Sequence, residues 1–410
     1  MDPTTTLFPE YACRRDFLKT AGGAAAGMAL YCSSVKGAET VPPKVTITDV
    51  KVSDGVAITA SNGVRGFFPR SGVSGVETLV PHLARIRELL VGRDPLDRAL
   101  DGEMLWEAIY PGKAKAFADG RDPLTGAVIS NKTRSGRHTA TGSVFIGFSN
   151  VDNALWDLRG KLLGQPAHRV IGDANRELVR VYWRPGEAKN GLAEARRQAR
   201  EAFDKGYRFQ KWFFKKGSKD GAAGMKENIE LVRVLREELP SAELMFDNHS
   251  IRYEDDVAYS LELCRAIAIY KPYWIEEPIC PEHVEGYAQI KGETGVTLAG
   301  GEHWYTRWPV KAFLDRKCVD IVQSDPIWCG GISEWLKICS LVRQYPGVRV
   351  VPHITSPWLA APHCVASQPE ALCPLLEFNV EGGRKALEGA MTRLPDAGMG
   401  LRMPTEPGLS

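Results

Sequence analysis

From about residue 178 the chain repeats one pattern eight times: a short apolar run ends in polar residues, and an amphipathic stretch with helical spacing follows. The runs are Val179–Trp183, Arg208–Phe214, Glu243–Asn248, Tyr273–Glu277, Thr297–Glu302, Asp320–Ser324, Val348–His353 and Leu375–Asn379. Between them lie helical segments that include Leu192–Lys205, Met225–Leu239, Asp255–Ile269, Val284–Gly292, Pro309–Arg316 and Ile332–Tyr345. A helix between successive strands makes those strands parallel, and eight such units in a row fit a closed, TIM-type (β/α)8 barrel better than an open doubly wound sheet.

The flanking segments make this a two-domain α/β chain. Lys44–Ser53 reads as a strand, and Val76–Gly92 and Asn153–Leu163 read as helices around a polar, glycine-rich middle. They predict an N-terminal α+β capping domain over 44–165, with the barrel over 175–379. Residues 380–410 are rich in glycine and proline and too short to form a domain, so this C-terminal segment is expected to pack on the capping domain and complete it. With 410 residues, 44% apolar and 25% charged, the chain can bury a large core. A net charge of +2 carries no nucleic-acid footprint and directs attention to a small-molecule substrate. A homo-oligomer is expected.

The first 38 residues stand apart. Cys13-Arg14-Arg15-Asp16-Phe17-Leu18-Lys19 precedes an Ala/Gly-rich stretch, Thr20–Leu30, and the combination resembles a twin-arginine export signal. Such a segment implies the twin-arginine export machinery as a partner and a periplasmic or otherwise exported bacterial protein. The apolar run is too short and glycine-rich for a stable membrane span. Of nine cysteines, Cys13 and Cys32 lie in or near this segment, and the other seven form no CxxC pair. They are read as core thiols.

In a barrel of this kind, side chains at the C-terminal strand ends converge on one mouth. Those ends present Lys211, Asp247 with His249, Glu276-Glu277, Glu302, Asp325, His353 and Glu377. A lone carboxylate at a strand end is usually a helix cap or a surface group. Seven strands in register are harder to dismiss. Asp247, Glu276 and Glu302 on adjacent strands repel one another unless a cation joins them, and an all-oxygen ligand set suits Mg²⁺ rather than zinc. Asp325 and His353 end consecutive strands, so the carboxylate can orient the imidazole and raise its basicity, making a general-base dyad.

The runs Asn153-Ala154-Leu155-Trp156-Asp157-Leu158-Arg159-Gly160-Lys161, Trp274-Ile275-Glu276-Glu277-Pro278, Gly301-Glu302-His303 and Pro352-His353 resemble the mandelate racemase subgroup of the enolase superfamily over about residues 44–380. The resemblance implies Asp247, Glu276 and Glu302 as Mg²⁺ ligands, with Glu276 the ligand of the Glu-Glu-Pro motif. It also implies Asp325–His353 as the dyad and Glu377 as a hydrogen-bonding partner of the enediolate. Proton abstraction beside a carboxylate leaves an enediolate dianion, which the metal stabilises; this superfamily is one of the standard illustrations of that chemistry.

Two departures narrow the expected activity. The racemase pattern Lys-x-Lys reads Lys211-Trp212-Phe213 here, and Phe213 cannot accept a proton, although Lys211 remains available to neutralise a substrate carboxylate. His249 follows Asp247 by two residues, on the same strand face, where it could protonate a leaving hydroxyl. That arrangement is similar to acid-sugar dehydratases with a second histidine at this place, while the Lys-Trp-Phe-Phe and Glu-His-Trp-Tyr-Thr-Arg runs look like the rhamnonate dehydratase branch. His303 and Arg307 of the latter run are candidate substrate contacts, as are Arg65 and Arg70 in a glycine-rich closing loop, Ser61–Gly75. The expected activity is dehydration of a sugar acid, an aldonate or aldarate, to a 2-keto-3-deoxy acid. The alternatives are a racemase, epimerase or cycloisomerase on the same scaffold, and a non-catalytic periplasmic sugar-acid-binding protein.

Overall fold

The computed structural model describes residues 45–70, 76–101, 140–185, 191–248, 256–354, 359–379 and 388–409. The export-type segment 1–38 and His249 lie outside these described residues. Strands β1 (Ile47–Val52), β2 (Gly55–Ala60) and β3 (Arg65–Pro69) form an antiparallel meander in the order β1-β2-β3. The helix Ala140–Leu162 packs on β3 at Gly66, where a Cβ atom would come within 2.3 Å of the Ala154 carbonyl oxygen, so only glycine permits this approach. Over 76–90 a 3-10 turn, Val76–His82, runs into the helix Leu83–Leu90.

The barrel strands follow: β4 (Leu178–Arg184), β5 (Phe209–Phe213), β6 (Glu243–Asp247), β7 (Trp274–Glu276), β8 (Leu298–Gly300), β9 (Ile321–Val322), β10 (Arg349–Val350) and β11 (Leu376–Asn379). Neighbours from β4 to β10 pair in sequence order and in parallel, and β11 returns to pair with β4. Between β10 and β11 the wall is joined by Val350 N–H donating to Leu372 O. β9 and β10 are shorter than their apolar runs because the chain turns out of the ladder just where it must present Asp325 and His353; His353 N–H still donates to Gln323 O.

Alternation along each strand sorts the side chains. Tyr182, Met245, Trp274, Ala299, Ile321, Val351 and Leu375 meet in the barrel interior, while Trp212, Phe246, Ile275 and Phe378 belong to the larger core between strands and helices. The helices obey ordinary end rules. Asp256 accepts from Tyr259 N–H to cap Val257–Ala268, and Val284–Thr294 stops at Gly295 in the left-handed region. Pro309 is accommodated in the first turn of Arg307–Asp315.

The C-terminal segment touches two places. A hairpin of β12 (Met391–Arg393) and β13 (Met399–Arg402) lays β13 antiparallel on the first half of β4, pairing Leu401 with Val179. Beyond it, Gly408 bridges Pro166 and Leu409 N–H donates to Asp157 on the helix Ala140–Leu162. That helix also grips the loop after β9. Asn153 exchanges hydrogen bonds with Pro326 O and Ile332 N–H, Asp152 accepts from the N–H and hydroxyl of Ser333, and Trp156 donates to the same hydroxyl. Gly331 has φ 97°, and a side chain there would strike Asp152. The Gly330-Gly331 pair is thus a tight turn docked on this helix. All seven cysteines of the described residues are free thiols, and every one but Cys280 is buried. Among the described residues no helix is long and apolar enough to cross a membrane.

Candidate active site

The inward positions at the C-terminal strand ends carry the ionisable groups. On β5, Lys211 is one strand pair below Phe213, which is in register with Asp247 of β6, itself in register with Glu276 of β7. Lys211 is buried. Its Nζ donates to Glu276 Oε1 at 2.9 Å and lies 3.2 Å from Asp247 Oδ2 and 3.6 Å from Glu377 Oε2. Burial opposes its charge, but the carboxylates of Glu276, Glu377 and Asp247 more than offset that and hold the ammonium well above its usual range. Glu377 on β11 also accepts from Tyr182 Oη at 2.9 Å and lies 3.4 Å from Arg184 Nε. Burial would raise Glu377, yet Lys211, His353, Arg184 and the tyrosine hydroxyl keep it below its usual value, hence ionised.

Across the mouth, His353 Nδ1 is 3.0 Å from Asp325 Oδ2 and its Nε2 is 3.6 Å from Glu302 Oε2. The other Asp325 oxygen accepts from Ile327 N–H, so the carboxylate is fixed while it orients the ring. Burial works against an imidazolium here. The Glu302 charge, the Asp325 hydrogen bond and the Glu377 charge override it and raise His353 to about 9. Trp328 packs over the His353 ring with centroids 4.7 Å apart.

Behind Glu302 a second buried imidazole bridges two carboxylates: His303 Nδ1 is 2.7 Å from Glu277 Oε1, and its Nε2 is 3.5 Å from Glu302 Oε1. Glu277 sits at φ 41°, a strained conformation for a non-glycine residue that leads the chain out of β7. Ligand atoms of Glu277, Glu302 and His303 all lie within 4.8 Å of one another.

Asp247, Glu276, Glu277, Glu302, Asp325 and Glu377 are all buried in or just behind the mouth, against two permanent cations, Lys211 and Arg184, among the described residues. Two like charges about 4 Å apart repel by about 4 kcal/mol at an effective dielectric of 20. Asp247 registers the strain: burial first, then the Glu276 and Glu302 charges, push it well above the carboxylate range against the pull of Lys211. A hard divalent cation would relieve this; of the expected ligands Asp247, Glu276 and Glu302, Glu302 falls in the group of mutually close ligand atoms among the described residues, together with Glu277 and His303, whereas Asp247 and Glu276 gather around Lys211.

The remaining candidates are placed differently. Arg307 is buried in an ion pair with Glu334, which also accepts its backbone N–H, so it anchors the start of its helix. Arg70 pairs with Glu77, and Arg65 is exposed over the Phe67 ring. His303 is held in the bridge between Glu277 and Glu302. The sequence reading did not single out Tyr182 and Arg184. Both lie on the inward face of β4, and the period-two spacing of Tyr182 and Arg184 was the available signal.

Comparison with known proteins bears on the family and the fold. The family model described as "Enolase C-terminal domain-like" matches residues 194–410, more than half of the chain. An L-rhamnonate dehydratase of Saccharopolyspora erythraea is 33% identical over 218 residues, 52% of this chain and 52% of that enzyme; the chain thus spans about half the length of that relative. An arabinonate dehydratase of Saccharolobus solfataricus is 27% identical over 79% of this chain and 76% of its own length. A D-galactarolactone cycloisomerase of Agrobacterium fabrum is 31% identical over 62% of this chain and 68% of its own. A solved mandelate racemase/muconate lactonizing enzyme from Sulfitobacter shares the fold at 21% identity, with a TM-score of 0.70 covering 89% of this chain and 92% of that one.

Proposed function

Because the chain belongs to the enolase C-terminal domain-like family, we propose that it is a Mg²⁺-dependent hydro-lyase that dehydrates a sugar acid to a 2-keto-3-deoxy acid. The observation that carries this reading is the Asp325–His353 dyad, with His353 Nε2 beside Glu302 and no second base on β5, where Phe213 stands. Asp247, Glu276 and Glu302 would hold the metal, which when bound supplies Lewis-acid stabilisation of the charge that develops on the substrate carboxylate.

The residues then divide the work. His353 Nε2 accepts the proton beside the carboxylate, while Asp325 holds Nδ1–H and stabilises the imidazolium. Lys211, fixed among Glu276, Asp247 and Glu377, contributes positive charge near the substrate carboxylate without leaving its place. His249 is the proposed acid for the departing 3-hydroxyl, from its position two residues after Asp247. The relatives named as rhamnonate and arabinonate dehydratases support sugar acids as the substrate class.

The test is a screen of the purified, Mg²⁺-loaded chain against aldonic and aldaric acids with a 2-keto acid readout. Turnover that survives His353→Asn would remove the proposed base. A cycloisomerase is the second reading, favoured by the D-galactarolactone relative; it predicts lactone consumption without a 2-keto product. A pure binding protein predicts no solvent deuterium at C2 of any bound acid. We also propose export through residues 1–38, on the twin arginine Arg14-Arg15; a reporter fused to that segment that stays in the cytoplasm would refute it.

A further inference from the structure

Arg184 ends β4 two residues after Tyr182, so both side chains fall on the strand face that looks into the barrel. Its guanidinium carbon lies 4.9 Å over the ring of Phe213, and its Nε is 3.4 Å from Glu377 Oε1. Among the described residues this carboxylate is its one ionic partner, and the buried Nε completes no hydrogen bond. With the side chain 23% exposed, part of the guanidinium fork still reaches solvent. Burial opposes its charge, but Glu377, Asp247 and Glu302 outweigh that and keep it cationic. A planar five-donor group, held by an aromatic face and one carboxylate and with donors left over, is arranged to receive another oxyanion.

Its location gives this meaning. Phe213 is in register with Asp247, at the depth where a Lys-x-Lys pattern on β5 would set an amine. Arg184 brings positive charge to that same face from the neighbouring strand. An arginine keeps its proton at every accessible pH, so the charge arrives without acid or base chemistry.

We propose that Arg184 is a specificity-determining anion clamp, whose guanidinium binds a carboxylate oxygen of the substrate over the Phe213 ring and replaces the charge, but not the proton transfer, of an amine on β5. The identity of the anion as a sugar acid rests on the reading above; the anion site itself does not. The clamp supplies charge to this face while Phe213, where a proton-returning amine would stand on β5, supplies none.

The test is calorimetric titration of the Mg²⁺-loaded full chain with oxalate, a planar dianion, and with aldonates and aldarates, comparing wild type with Arg184→Gln and Arg184→Lys. Losing a charge-assisted hydrogen bond should weaken oxalate and sugar-acid binding about tenfold to a hundredfold in Arg184→Gln. KM should rise by a similar factor with kcat changed far less, Arg184→Lys should recover part of the affinity, and guanidinium ion in the buffer should restore part of the Gln variant. Unchanged oxalate affinity in Arg184→Gln, or a loss of kcat alone without rescue by guanidinium, would overturn the proposal and leave Arg184 as a partner of Glu377. If Arg184→Gln does not fold, Phe213→Leu removes the stacking platform, and oxalate must then bind more weakly for the clamp to stand. Should wild type turn over no sugar acid while Arg184→Gln still loses oxalate affinity, the clamp survives and the dehydratase reading fails.

Discussion

The two arcs of the barrel mouth are built from opposite kinds of charge. From β6 to β10 the inward positions carry the carboxylates Asp247, Glu276 and Glu302 and the Asp325–His353 dyad, whose imidazole is a group of this arc able to change its proton near neutral pH. From β4 to β5 they carry Tyr182, Arg184, Lys211 and Phe213, whose charges do not titrate near neutral pH. Glu377 on β11 is the joint, accepting from Tyr182 and facing both Lys211 and Arg184. The difference teaches that one barrel can separate proton transfer from anion holding by strand. Among the described residues, Phe213 stands on β5 where a second proton-transferring amine would be set, so this arc offers charge at Arg184 and Lys211 in fixed places.

The largest effect should come from the titrating arc. His353→Asn is expected to lower kcat by about a thousandfold, the contribution of a positioned general base, with Mg²⁺ affinity and folding preserved. A variant that kept a tenth of the activity would erase the distinction between the arcs, because the base would then lie elsewhere.

A buried histidine whose shift is set first by burial supplies the control. His168 is buried in the helix Ala167–Ile171, its Nδ1 lies 3.3 Å from His363 Nδ1, and burial above all lowers it to about 4. Its folded value is below the unfolded one, near 6.5, so the unfolded chain binds more protons between pH 6.5 and 4. The contribution is full above pH 6.5, falls as pH drops through that window and levels off below 4, a loss of at most about 3 kcal/mol. Chemical denaturation across that range should show the stability gap between wild type and His168→Asn shrinking with acid. A constant gap would mean that burial alone does not set the shift, and that the acidic arc is not what makes His353 different.

How much of this was legible in the sequence follows from period-two geometry. Lys211, Asp247, Glu276, Glu302 and Glu377 were readable because apolar runs mark the strands, and an ionisable residue at or within a few residues of the end of each run falls at the mouth. Tyr182 and Arg184 obey the same parity, but a Tyr-Trp-Arg run looks like an ordinary strand end until the ion pair with Glu377 across the β4–β11 closure is seen. Arg307 had the residue type of a substrate contact, and only the fold reveals that Glu334, 27 residues further along the chain, claims its guanidinium. The partnership of His303 with Glu277 was equally hidden. Glu277 follows Glu276 on the opposite side of the chain, at positive φ just beyond β7, and only the fold shows that His303 meets it there.

That partnership gives a more moderate prediction. His303 ties Glu277 to Glu302, so it should orient a metal ligand without being one, and supporting groups of this kind typically change metal affinity about ten- to a hundredfold. Calorimetric Mg²⁺ binding to His303→Gln should weaken within that range, while kcat at saturating metal recovers most of its wild-type value. Loss of kcat at saturating Mg²⁺ would instead place His303 in contact with the substrate.

The smallest signal bears most directly on the contrast between titrating and fixed charge. His353 is held to about 9 with no divalent ion present, so at pH 8 it carries its proton, drawn by Glu302 and Asp325. Its folded value lies above the unfolded one, so the stability it confers is present in full below about pH 6.5 and is lost as pH rises toward 9. A divalent charge held by Glu302 competes with the imidazolium for the same field, and binding should expel the proton. Adding MgCl₂ to the metal-free chain in weak buffer with an indicator dye should therefore release up to about one proton per chain at pH 8 and progressively less above pH 9. His353→Asn should release much less, and Arg184→Gln should release as much as wild type, because a guanidinium has no proton to give. Equal release from wild type and His353→Asn would assign the titration to Asp247 and its neighbours, and the imidazole would then already be neutral before the metal arrives.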